Sequence, residues 1–105
     1  MATRSNKLYR PIIAERELAP NDYYWLKNGE TGILPPTQFL TEGDAFYFEK
    51  PLGSTCTIAV ADSGNDTIFA KNYNEGSVIS DTVFTYDTDD EIKVIFNGAD
   101  YEVRY

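Results

Sequence analysis

The sequence predicts an all-β fold, a small antiparallel sandwich or barrel with an extended amino-terminal arm. Three observations lead there. Short runs of β-branched and aromatic residues recur at roughly the 8–12 residue spacing of all-β domains, and the chain holds eight Tyr and six Phe in 105 residues. Turn-formers such as Asp62-Ser63-Gly64-Asn65-Asp66 and Asn97-Gly98 separate the runs. Helical signals are weak, and no stretch offers the crossover helices that parallel βαβ units need.

The order of elements follows from the same signals. Residues 1–16 carry Arg4, Lys7, Arg10 and Arg16 against Glu15, with no apolar period, and Pro11 forbids a regular helix there. They read as an extended basic arm on a single acidic β domain, residues 17–105. Residues 21–27 could start a helix at Asn21 or Asp22, but Tyr23-Tyr24-Trp25-Leu26 is good strand material. With Ile33-Leu34 it suggests a hairpin turning at Asn28-Gly29. Pro35-Pro36 then enforces an extended connection. Strands follow at Asp44 to Glu49, at Thr55 to Val60 with Cys56, Ile58 and Val60 on one face, at Thr67 to Lys71, at Val78-Ile79 and at Thr82 to Tyr86.

The last hairpin can be read residue by residue. A two-residue turn at Asn97-Gly98 pairs Phe96 with Ala99, Val94 with Tyr101 and Ile92 with Val103 on one apolar face. The other face then sets Lys93 opposite Glu102 and Glu91 opposite Arg104.

Composition narrows function by exclusion. With no His, the commonest general base and metal ligand is missing, and Ser-His-Asp or Cys-His catalysis cannot be assembled. A single Cys cannot form an internal disulfide. The first ten residues lack the apolar region of a signal peptide and no apolar run reaches membrane-spanning length, so the expected setting is cytoplasm-like or an assembly made there. Residues 17–105 hold five basic and sixteen acidic side chains, net −11. Such a body repels nucleic-acid backbones, so no nucleic acid and no membrane are expected as partners.

Candidate chemistry is thin. Asp87-Thr88-Asp89-Asp90-Glu91 places carboxylates at alternate positions, as calcium loops do, yet Ile92 stands where such a loop requires Gly, and turn chemistry accounts for the run. Cys56 shares a face with Ile58 and Val60 and reads as a buried, inert thiol. Tyr23, Tyr24 and Trp25 could line a carbohydrate or peptide groove, although alternation sends Tyr24 to the face opposite Tyr23 and Trp25. Trp25 to Pro35 resembles the distal part of an SH3-like barrel over about eleven residues. No catalytic residue, cofactor or metal is assigned, and the expectation is a protein that is not an enzyme.

The expected partner-binding residues are Arg4, Lys7, Leu8, Tyr9, Arg10, Ile12 and Ile13, whose basic and apolar character suits an anchor along an acidic neighbouring surface. In its small size, extended basic amino terminus, lack of His and Asn/Tyr/Thr-rich strands, the chain resembles the auxiliary (decoration) proteins of tailed-phage capsids. That resemblance implies a structural subunit of the virion, docked on the major capsid protein and often trimeric. The alternative is an acidic inhibitor or DNA mimic that blocks a nucleic-acid-binding enzyme, which the −11 body favours.

Overall fold

The structure, a computed structural model, describes residues 9–13, 16–72 and 76–105. These residues form ten strands and one 3-10 turn, Thr37–Phe39. The strands are β1 (Arg10–Pro11), β2 (Asp22–Trp25), β3 (Thr31–Leu34), β4 (Ala45–Glu49), β5 (Cys56–Val60), β6 (Ile68–Lys71), β7 (Val78–Asp81), β8 (Val83–Tyr86), β9 (Ile92–Phe96) and β10 (Tyr101–Arg104). The fold is all-β, in two sheets. One has seven strands in the order β1-β2-β4-β9-β10-β6-β7; the other has three, β3-β5-β8.

The sheets are mixed, which corrects the antiparallel expectation. Pairs β1/β2, β2/β4, β3/β5 and β6/β10 are parallel, and the remaining four ladders are antiparallel. Parallel neighbours need a crossover, and here a strand of the other sheet supplies it in place of a helix. The chain leaves β2, crosses to β3, returns to β4 and crosses again to β5, so β2 meets β4 and β3 meets β5 running the same way. Glu17 already makes a parallel bridge to Ile33 of the small sheet. The Asn28-Gly29 hairpin therefore does not form. The turn exists, with Glu30 N–H donating to the Lys27 carbonyl, but it carries the chain between sheets and is tied to Thr55 by Gly29 N–H. The SH3-like reading of Trp25 to Pro35 falls with it, because Trp25 and Ile33 lie in different sheets.

One hydrophobic core joins the two sheets. From the large sheet Tyr24, Phe46, Phe48, Val94, Tyr101 and Val103 turn inward, and from the small one Leu34, Ile58, Phe84 and Tyr86. Two buried tyrosines tie the layers in opposite directions. Tyr101 on β10 donates to the Pro35 carbonyl just beyond β3. Tyr86 on β8 donates to the Asp90 carbonyl (2.7 Å), with the Phe48 carbonyl of β4 3.1 Å away. The Tyr101 hydroxyl satisfies a buried carbonyl, and the Tyr86 hydroxyl is itself satisfied inside the core. Gly32 belongs to this packing: a Cβ there would lie 3.2 Å from Phe48 and 3.3 Å from Leu18.

The last hairpin keeps its predicted faces but not its register. Phe96 pairs with Tyr101, Ile95 with Glu102 and Val94 with Val103. The turn is centred on Gly98-Ala99, because Asn97 N–H donates to the Asp100 carbonyl and Asn97 Oδ1 accepts from Ala99 and Asp100 N–H. A shift of two residues leaves every side chain on its face, so alternation cannot detect it. The expected Lys93–Glu102 and Glu91–Arg104 oppositions are lost; Glu102 instead meets Arg104 of its own strand at 3.3 Å.

Candidate docking surface

Of the expected partner-binding residues, Arg4, Lys7 and Leu8 lie outside the described residues. The other four are held to different degrees by the body. Arg10 pairs with Asp22 at 3.0 Å across the β1/β2 edge, while its side chain stays largely exposed. Tyr9 meets the ring of Tyr23 edge-on at 5.5 Å. Ile12 packs against the core, and Ile13 projects into solvent, 61% exposed.

The outer face of the large sheet gathers what the sequence scatters. Tyr23 stacks on Tyr47 of the next strand at 4.5 Å, and Lys93 Nζ lies 5.8 Å from the Tyr47 ring centre. Along the same face run Trp25, Ile95, Phe69 and Val78, of which Trp25, Phe69 and Val78 are exposed. Lys71, Lys93 and Arg104, three of the five basic side chains of residues 17–105, share it with Glu102. Tyr24 points the other way, into the core, where its hydroxyl exchanges hydrogen bonds with both backbone groups of Ala19 and burial raises its pKa.

At the far edge of that sheet, β7 is exposed along its whole length. Between β7 and β8 runs an open hollow of about 260 Å³, where Phe84 packs on Tyr105 at 5.1 Å beneath exposed Ile79 and Val83, beside the carboxylates Asp81 and Asp87. Sequence reasoning passed over this region, although a signal was present. Val78-Ile79 are adjacent apolar residues, and on a strand one of them must face away from a single buried side.

Many carboxylates that look like solvated charge are engaged by the chain's own backbone. Asp66 is buried and accepts from both the N–H and the hydroxyl of Thr37. Asp44 accepts from Asn21 Nδ2 and Thr41 N–H, and Asn21, at φ 63°, grips the start of β4 through Ala45 N–H. In the acidic run, Asp89 accepts from Gly53 N–H at 2.8 Å and lies 3.5 Å from Lys50 Nζ, whose side chain is wholly buried over the Tyr86 ring. The Gly53 hydrogen bond, helped by the Lys50 charge, lowers the Asp89 pKa. Among the described residues no group of three or more His, Cys, Asp or Glu is disposed to hold a metal ion. Cys56 is buried, its thiol donating to the Lys27 carbonyl.

No helix among the described residues is long and apolar enough to cross a membrane. Compared with protein-family models, curated proteins and solved structures, the chain matches none.

Proposed function

We propose that this protein is a non-enzymatic docking subunit, a small β-sandwich with a basic amino-terminal head that attaches to a larger protein assembly. The assembly that best suits its character is a tailed-phage capsid, with the protein as an auxiliary (decoration) subunit of the virion on the major capsid protein. The observation that carries the docking reading is the outer face of the large sheet, where exposed Trp25 shares β2 with Tyr23 of the Tyr23–Tyr47 stack and exposed Phe69 and Val78 stand on β6 and β7, with Lys93, Glu102 and Arg104 on the strands between. Exposed aromatic and aliphatic side chains gathered on one sheet face mark an interaction site, and aromatic anchors dominate interface energies.

The DNA-mimic alternative draws on the net charge of −8. It is weakened by the carboxylates of Asp22, Asp44, Asp66 and Asp89, each turned toward a donor of its own chain and unable to imitate a free row of phosphates.

Recovery of the protein from its native source provides the test. A docking subunit co-purifies with a particle, and Trp25→Ala together with Phe69→Ala lowers its affinity for that particle at least tenfold with an unchanged circular dichroism spectrum. Deletion of residues 1–8 does the same if the head is the anchor. Recovery as a complex with a nuclease, released by about 0.5 M salt, replaces this reading with the inhibitor.

A further inference from the structure

We propose that the acidic hollow between β7 and β8 is the receptor for the amino-terminal head of a second copy of this chain, so that neighbouring subunits link head to body. This names the neighbour that the docking reading leaves open, and it rests on that reading.

Strand β7 pairs with β6 alone among the described residues, so its free edge offers backbone N–H and carbonyl groups to an added strand. Its sequence, Val78-Ile79-Ser80-Asp81, lacks the Lys or Pro with which edge strands are usually blunted. Beside it, exposed Ile79 and Val83 supply apolar contact and Asp81 and Asp87 supply two negative charges. Residues 1–8 match this surface in kind: Arg4 and Lys7 are the two cations, and Leu8 is apolar.

Reach decides between the chain's own head and another's. Strand β1 sits at one edge of the seven-stranded sheet and β7 at the other, six lateral steps away. At about 4.8 Å per step that is about 29 Å along the sheet. From Arg10 back to Arg4 an extended chain covers only about 20 Å. The backbone of the chain's own head thus falls short of the hollow along the sheet, which favours a contact made in trans. Heads exchanged reciprocally between two copies give a closed dimer, and heads passed on in one direction give a ring or a growing chain.

A charge-swap experiment on the full chain tests this by sedimentation and light scattering. The unaltered protein associates with rising concentration, and its dissociation constant rises at least tenfold between about 50 and 500 mM salt. Reversing the head (Arg4→Glu with Lys7→Glu) weakens association at least tenfold, and so does reversing the hollow (Asp81→Lys with Asp87→Lys). Mixing the two variants restores it, since each reversed surface then meets an opposite partner. These positions are exposed or outside the described residues, and native circular dichroism of each variant verifies its fold. If a variant does not fold, Ile79→Glu serves for the hollow. An unaltered protein that stays monomeric at millimolar concentration overturns the proposal, as does association indifferent to both reversals. If it is monomeric yet deletion of residues 1–8 still costs affinity for the native particle, only this inference fails. If the head deletion leaves particle binding intact while the charge-swap succeeds, the anchor role of the head is what fails.

Discussion

The stretch from β2 to β5 and the stretch from β9 to β10 solve the same burial problem in opposite ways. The β9–β10 hairpin pairs neighbours in sequence through a tight turn at Gly98-Ala99. Between β2 and β5 every strand pairs with one two places away, and every connection changes sheets. The first solution is local and keeps its own register. In the second, β2 finds its place only when β4 arrives, and β3 only when β5 does. The placement of strands in that stretch depends on pairing that is distant in sequence, and mutations should reveal the asymmetry.

The largest expected effect is Phe48→Ala on β4. It removes a fully buried ring that packs from the large sheet against Gly32 and Tyr24, and it should cost about 3–5 kcal/mol in denaturant unfolding. A loss below about 1 kcal/mol would place the stabilising layer contact elsewhere. Tyr101→Phe comes next. The Pro35 carbonyl loses its buried donor, an expected cost of about 1–3 kcal/mol. Burial raises the Tyr101 pKa in the folded chain above its ordinary value of 10.0. Above that pH the unfolded chain releases the proton and the folded chain retains it, so stability is full below about pH 10 and falls beyond it. Alkaline unfolding of Tyr101→Phe should accordingly show a shallower pH dependence than the parent.

Gly32→Ala sharpens the comparison from the side of overpacking. Its Cβ meets two core side chains at 3.2 and 3.3 Å, with an expected cost of about 1–3 kcal/mol read by thermal unfolding. In the hairpin, a double-mutant cycle between Lys93 and Glu102 should give a coupling near zero, because Glu102 faces Ile95. A coupling approaching about 1 kcal/mol would show the charge-matched register in solution. The smallest effect lies on the acid side. Asp89 has a lowered pKa, so its contribution is present above the usual carboxylate pKa of about 3.9 and disappears as pH falls through the folded value. Asp89→Asn should flatten the acid limb of the stability curve.

The two stretches also differ in how much the residues announce in advance. Strand positions were legible almost everywhere, since Cys56, Ile58 and Val60 or Ile92, Val94 and Phe96 alternate with polar residues and are buried as alternation requires. Sheet membership was not. Thr31 to Leu34 looks the same whether it folds back on Trp25 or crosses to another layer, because both placements bury Leu34 and differ only in the partner. The hairpin register failed for a narrower reason. Opposed charges are worth about 0.2–1 kcal/mol each, and they competed with a turn in which Asn97 accepts two backbone hydrogen bonds. The candidate surface was the least legible part. Lys71, Lys93 and Arg104 are far apart in a chain whose acidic total conceals them, and only the β6–β10–β9 adjacency collects them. Of the predicted anchor, Arg10 and Ile12 hold the segment to its own body through Asp22 and the core.

The strand order carries a kinetic consequence. The β9–β10 pair occupies the middle of the seven-stranded sheet, between the block β1-β2-β4 and the block β6-β7. During synthesis those flanking blocks emerge first and have no common partner until residues 92–104 arrive to bridge them. Folding should therefore be late and all-or-none, with a nascent chain stalled before residue 92 remaining protease-sensitive throughout, and the carboxy-terminal hairpin acting as the keystone whose insertion ends the exposure of unpaired edges.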